Sequence, residues 1–204
     1  MIGIVDYGSG NVQAIANIYN RLNIPFQIIK EPNKLNIADH LILPGVGAFD
    51  ATMKELNDSG LRTSLDEEVL VKKKPVMGVC VGMQILSESS EEGTLKGLGW
   101  IKGNVKKFDV SQLKEKPYLP HMGWNTIDPN LDHPIFKNLD YDLGFYFVHS
   151  YFFEPKDSSD ILAKSFYGNY FASAVYNNHI FGMQFHPEKS HSNGIQLLSN
   201  FAKL

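Results

Sequence analysis

Short apolar runs alternate with segments in which apolar residues return every three or four positions, and this alternation runs through the first 80 residues. Ile2-Gly3-Ile4-Val5, Phe26 to Ile29, Leu41-Ile42-Leu43 and Val76 to Val79 read as strands bounded by turn residues. Continuous apolar runs of this kind suit a parallel sheet covered on both faces. Between them, Val12, Ile15, Tyr19 and Leu22 recur at helical spacing, with Gln13, Asn17 and Asn20 opposite and Asn11 as the N-cap. Further helices are predicted over Phe49 to Asn57 and Leu61 to Val71, separated by Asp58-Ser59-Gly60. Lys72, Lys73 and Lys74 then sit where cations complement a helix C-terminus. The predicted fold class is α/β, a doubly wound, mostly parallel sheet. Ligand sites in such sheets lie outside the carboxyl ends of the strands, which groups Asp6–Asn11, Pro44–Gly47 and Cys80 on one edge.

Beyond Glu92 the texture changes. Gly93 to Trp100 reads as a glycine-punctuated loop, Ile101 to Phe108 as a strand, and residues 111–116 as a polar, exposed stretch. Strand-like segments follow at Leu119 to Ile127, Phe145 to Tyr151, Ile161 to Ser165, Phe171 to Tyr176 and Ile180 to Phe185. Asn177-Asn178-His179 joins the last two as a hairpin, so an antiparallel C-terminal elaboration is expected. A closing helix spans about Ser192 to Ala202, with Ile195, Leu198 and Phe201 on its buried stripe. No repeat, low-complexity tract or linker interrupts the chain, and residues 1–204 are predicted to be one domain.

Composition narrows the function classes. With 43% hydrophobic and 20% charged residues and a formal net charge of −3, the chain argues against nucleic acid or membrane as its main partner. A single cysteine precludes an internal disulfide and fits a reducing compartment. The N-terminus passes directly into Ile2–Val5 without a signal-peptide pattern, and no apolar run approaches the roughly 20 residues of a membrane span. A cytoplasmic location is expected. No metal-ligand spacing or dinucleotide fingerprint is visible, since Gly8-Ser9-Gly10 is too short for one; neither metal nor cofactor is expected.

That one cysteine, Cys80, stands between Gly78 and Gly82, after a strand and before Met83 to Leu86, which reads as the opening of a helix. A nucleophile on a sharp strand-to-helix corner is a nucleophile elbow, and glycines two residues either side keep side chains from colliding there. The helix start places backbone N–H groups beside the sulfur. The competing reading is a small buried hydrophobe, the common fate of a free cysteine.

A cysteine nucleophile needs a base, and the base needs an orienter. Of seven histidines, only His186 supplies both, in Phe185-His186-Pro187-Glu188 after a strand. Pro187 imposes an extended or turn geometry on His186, and residues two apart in an extended segment project to one side, so Glu188 can reach the imidazole. By itself the tripeptide also suits a surface turn. Combined with Cys80 and with Pro44-Gly45-Val46-Gly47, it completes an amide-hydrolysing set in which N–H groups near Val46 and Gly47, with that of Val81, face a tetrahedral intermediate. The strip's glycines equally suit an ordinary strand-to-helix turn.

Gly78-Val79-Cys80-Val81-Gly82-Met83-Gln84 with His186-Pro187-Glu188 resembles the class I (triad) glutamine amidotransferases, whose fold is flavodoxin-like. The further motifs Asp6 to Asn11, Leu43 to Phe49, Pro120 to Asn125, Tyr146 to Tyr151 and His186 to Ser190 are similar to those glutaminase subunits that serve histidine biosynthesis, and the likeness covers the full length. The resemblance implies that Cys80 attacks the glutamine amide, His186 acts as base and then acid, and Glu188 orients it. It implies that Gln84 binds L-glutamine and that Gly45, Val46, Gly47 and Val81 supply the oxyanion strip, before or after a rearrangement of that strip. It also implies a heterodimer with a (β/α)8 cyclase that makes imidazole glycerol phosphate and an aminoimidazole carboxamide ribotide. Asn11, Met122, Trp124, Asn125, Tyr146 and Lys189 match positions near that junction and the ammonia path. Read from the residues alone, Asn11 is a helix cap, Trp124 and Tyr146 are core aromatics, and Lys189 is a solvated charge. His121 and His149 are read as structural or interface histidines.

The chain departs from the family pattern at Val81, where leucine is common, a conservative change. His191 and the stretches 111–116 and 128–143 match no motif. Paralogues that supply ammonia to sugar-modifying amidotransferases would carry the same catalytic motifs. A different cysteine hydrolase of α/β fold, acting on peptides or reactive carbonyls, needs the elbow but neither Gln84 nor the stretch Pro120 to Asn125. An inactive regulatory subunit is the third alternative; an intact Cys80, His186 and Glu188 argue against it.

Overall fold

The structure, a computed structural model, describes residues 1–113, 118–129 and 132–204. The four N-terminal strands are β1 (Ile2–Val5), β2 (Phe26–Ile29), β3 (His40–Gly45) and β4 (Val76–Cys80). Later come β5 (Ser89–Ser90), β6 (Gly103–Lys107), β7 (His121–Asn125), β8 (Asp128–Pro129) and β9 (Phe145–His149). The last four are β10 (Tyr151–Pro155), β11 (Ile161–Tyr167), β12 (Asn169–Asn177) and β13 (Ile180–Met183). The helices are α1 (Val12–Arg21), α2 (Phe49–Asp58), α3 (Arg62–Asp66), α4 (Val81–Gln84) and α5 (His191–Phe201).

One sheet runs in the order β2-β1-β3-β4-β13-β12-β11-β8. The first five strands are parallel neighbours, and from β13 onward the pairing is antiparallel. Every residue of β1 and of β4 is buried, as apolar runs covered on both faces require. The chain crosses first to one side of β1 and then to the other, so the strand order reverses there. This switch aligns the carboxyl ends of β1, β3, β4 and β13 along one edge. Among the described residues, two smaller sheets, β10-β6-β5 and β7-β9, stand beside it.

Several expected elements shift. The predicted helix 61–71 is α3 followed by a wider π turn over Glu67–Val71, with Lys72 N–H donating to the Glu67 carbonyl at 3.0 Å. The turn coincides with the buried Glu68 carboxylate, which holds both Lys72 and Lys74 at 2.7 Å; those two lysines serve that ion pair. The aromatic segment 145–151 is two strands broken at Ser150, because β9 pairs with β7 and β10 with β6. The expected hairpin is present: Asn177 pairs with Ile180, and Asn178 takes the left-handed turn conformation at φ +57°. In the expected polar stretch 111–116, residues 114–116 lie outside the described residues, as do 130 and 131 of the stretch 128–143. Among the described residues, no helix is long and apolar enough to cross a membrane.

Candidate active site

Cys80 ends β4 and opens α4 with φ +55° and ψ −114°, a conformation that non-glycine residues adopt at a cost. Its glycine neighbours are sterically required. A Cβ on Gly78 would overlap the Gly82 carbonyl, and one on Gly82 would overlap the Leu43 carbonyl of the adjacent strand. The helix that follows is a single turn, Val81–Gln84, shorter than the expected run through Leu86. What it offers the sulfur is therefore the local N–H groups of its first turn.

His186 lies three residues past β13, in extended conformation at φ −101° and ψ 96°. The residues after it, Pro187–Lys189, form a 3-10 turn, so Glu188 reaches the ring by curling back, not along a plain extended segment. The Nδ1 atom of His186 and Oε1 of Glu188 are 2.8 Å apart, with both side chains buried. The backbone around the ring is fixed as well. The N–H of His186 donates to the Tyr146 carbonyl at 2.9 Å, and the Ser190 hydroxyl donates to the His186 carbonyl at 2.6 Å. Among the described residues, Nε2 is buried with no hydrogen-bond partner. Burial pushes the imidazole pKa down, but the Cys80 sulfur and then the Glu188 carboxylate outweigh it and raise it to about 10. Both partners favour the charged ring, and Nδ1 is held by Glu188.

Cys80, Val81, Gln84, Val46, Gly47, His186 and Lys189 share the lining of one cavity of about 390 Å³. Glu188 stands behind His186. A larger hollow of about 700 Å³ beside Asp132 and His133 holds none of the predicted residues. Other residues around the sulfur gain a role only from the fold. Glu92 lines the Cys80 cavity and accepts from the Phe49 N–H at 2.8 Å, and Tyr151 contributes the wall from the start of β10. Gln184 places its Nε2 3.9 Å from Cys80 Sγ.

The oxyanion strip is tied down. Ser9 Oγ, buried in the turn after β1, lies 3.1 Å from both the nitrogen and the carbonyl oxygen of Val46, and the Tyr7 hydroxyl donates to the Pro44 carbonyl. The Val46 N–H therefore already has an acceptor. Gln84 is equally engaged: its Nε2 donates to the Tyr151 carbonyl at 3.0 Å and to Gln184 Oε1 at 3.1 Å.

Of the residues matched to a junction, Lys189 lines the cavity together with Cys80, and Asn11, Met122, Trp124, Asn125 and Tyr146 stand outside that lining. Met122 is 62% exposed and Trp124 44%, so Trp124 is no core aromatic. Its ring stacks on His191 at 5.2 Å, and the Lys189 ammonium sits 5.7 Å over the Tyr146 ring. His191, which matched no motif, thus joins this aromatic and cationic face. Asn11 is the N-cap residue of α1, as read, with its carbonyl accepting from the Ile15 N–H at 3.3 Å, but its side chain is exposed and makes no capping bond. Asn125 donates to the Phe166 carbonyl at 2.9 Å.

The model of the family glutamine amidotransferase class-I matches residues 3–204. The chain belongs to the class-I glutamine amidotransferases. Membership makes it an enzyme of that class and agrees with the α/β sheet above. Among curated proteins of the family, the imidazole glycerol phosphate synthase subunits HisH of Leptospira interrogans and of Bdellovibrio bacteriovorus are each 50% identical over 204 residues, covering 100% of both chains. Solved structures of the same fold include a glutamine amidotransferase (TM-score 0.71, 17% identity, 100% and 99% of the two chains covered). The structure of PurLQS from Thermotoga maritima gives a TM-score of 0.68 at 18% identity, covering 99% and 97%.

Proposed function

We propose that this class-I glutamine amidotransferase is the glutaminase subunit of an imidazole glycerol phosphate synthase. It releases ammonia from L-glutamine and passes it to a (β/α)8 cyclase partner in a cytoplasmic heterodimer. The observation that carries this reading is the convergence of Cys80, on its strained corner, with the Glu188-backed His186 in one cavity. Full-length likeness to HisH subunits supports the pathway.

In this reading Cys80 Sγ attacks the side-chain amide carbon of glutamine, and the C–N bond breaks as His186 delivers a proton to the departing ammonia. A γ-glutamyl thioester remains. Water then attacks it while His186 accepts the water's proton, releasing glutamate and restoring the sulfur. Glu188 keeps the ring oriented throughout both steps. The developing oxyanion is received by the N–H groups of Val81 and Val46, the latter once it has left Ser9. The exposed face of Met122, Trp124, Tyr146 and Lys189 is assigned to the cyclase, with Asn11 and Asn125 beside it. Cys80→Ala in the complex tests the reading: synthase turnover from glutamine should vanish while turnover from free ammonia persists. Retained turnover from glutamine would refute it.

A further inference from the structure

A hydrogen-bonded chain with only one direction available leads from β7 to the cavity wall. The Tyr151 carbonyl can only accept, so His149 Nδ1, 2.7 Å away, carries a proton. Burial, with a smaller push from His121, lowers the His149 pKa to about 3, which leaves Nε2 of the neutral ring as an acceptor. His121 Nδ1 lies 3.0 Å from that atom and must donate to it. His121 is also neutral, its pKa lowered by burial to about 4, and so offers Nε2 as an acceptor to Asn125 Nδ2 at 3.2 Å. The Asn125 amide cannot be turned round. Its Oδ1 accepts from Thr126 N–H and its second Nδ2 hydrogen goes to the Phe166 carbonyl, both at 2.9 Å. Both rings are therefore the Nδ1–H tautomer.

At the other end, the Tyr151 carbonyl takes a second bond from Gln84 Nε2 at 3.0 Å, and Gln84 continues to Gln184, whose own Nε2 lies 3.9 Å from Cys80 Sγ. Packing alone does not call for histidine here. His121 stacks on Phe147 at 4.9 Å and on Tyr167 at 4.2 Å, and His149 lies against Phe108 and Phe171. Polar rings in such an aromatic cluster are costly to desolvate unless every polar atom is paired, and here each one is.

We propose that His121 and His149 are positioning residues for glutamine binding: two neutral rings of fixed tautomer that hold the Tyr151 carbonyl, and with it Gln84, against the cavity containing Cys80. This role rests on the glutaminase reading above.

Asparagine can reproduce the Nδ1 donor of either ring, glutamine reproduces the Nε2 position, and phenylalanine reproduces the shape. Each replacement is made at His121 and at His149, and ammonia release is measured in the complex. The Phe and Gln variants should raise the KM for glutamine about tenfold with a smaller change in kcat, and the Asn variants should return it to within about threefold of wild type. The reverse order, with Phe or Gln better than Asn, is what packing predicts and overturns the proposal. A wild-type complex that releases no ammonia from glutamine would instead refute the glutaminase reading. Imidazole ¹⁵N spectra of the full chain test the tautomers without turnover. Neutral Nδ1–H rings at both positions at pH 7 are expected, and Nε2–H or a charged ring at either overturns the proposal.

Discussion

The Val46 N–H donates to the buried hydroxyl of Ser9 at 3.1 Å, across 37 positions of sequence. The donor assigned to the oxyanion is thus occupied at rest. Removing that acceptor should ease its release. Ser9→Ala is expected to raise glutaminase turnover of the chain without its partner about fivefold, the worth of one net hydrogen bond. Unchanged or lower turnover, measured as ammonia release by the isolated variant, would show that Ser9 does not restrain the strip.

The elbow gives a stability prediction. Gly82→Ala drives a methyl group into the Leu43 carbonyl of a buried neighbouring strand, where no flexible side chain can yield. A loss of about 3 kcal/mol is expected, at the upper end of ordinary overpacking. Urea unfolding measures it, and a loss below about 1 kcal/mol would mean that the corner opens easily.

The His186–Glu188 pair has a definite pH signature. Burial pulls the folded imidazole pKa down, yet the Cys80 sulfur and then Glu188 carry it from 6.5 up to about 10. The ring's contribution to stability is therefore full below about pH 6.5 and fades as pH rises through about 10. Glu188→Gln removes one of its supports. The difference in urea midpoint between wild type and this variant should be largest near about pH 6 and shrink toward about pH 10. A difference that grows with pH contradicts this assignment.

Trp124 stacks on His191 at an exposed face and makes no contribution to the core. Trp124→Ala should leave the unfolding midpoint of the chain unchanged but weaken binding of the cyclase by about 2 kcal/mol, as loss of an aromatic anchor does. Calorimetric titration of the partner reads this directly. An unchanged Kd would place the interface elsewhere.

The parts of the site visible in the sequence are those fixed by residues a few positions apart. Gly78 and Gly82 flank Cys80 because two backbones pass too close for a side chain, and Glu188 reaches His186 from two residues away. The α/β order is legible for the same local reason, in apolar runs long enough for strands and interrupted by helical spacing. What stays hidden joins distant residues. Gln84 meets Gln184 across 100 positions and His121 meets His149 across 28, and neither pairing has a local signature. The break at Ser150 is equally invisible, since Phe145 to Tyr151 is one aromatic run until two different sheets claim its halves. Trp124 and Tyr146 look like core for their size, and only the tertiary fold leaves Trp124 at the surface.

Reaction of the complex with a glutamine-mimicking electrophile, followed by intact-mass and peptide mapping, tests the assignment of the nucleophile most directly. One covalent adduct per chain, carried by Cys80 and absent from Cys80→Ser, is the predicted result. No adduct with the partner bound, or an adduct on any other residue, would contradict it.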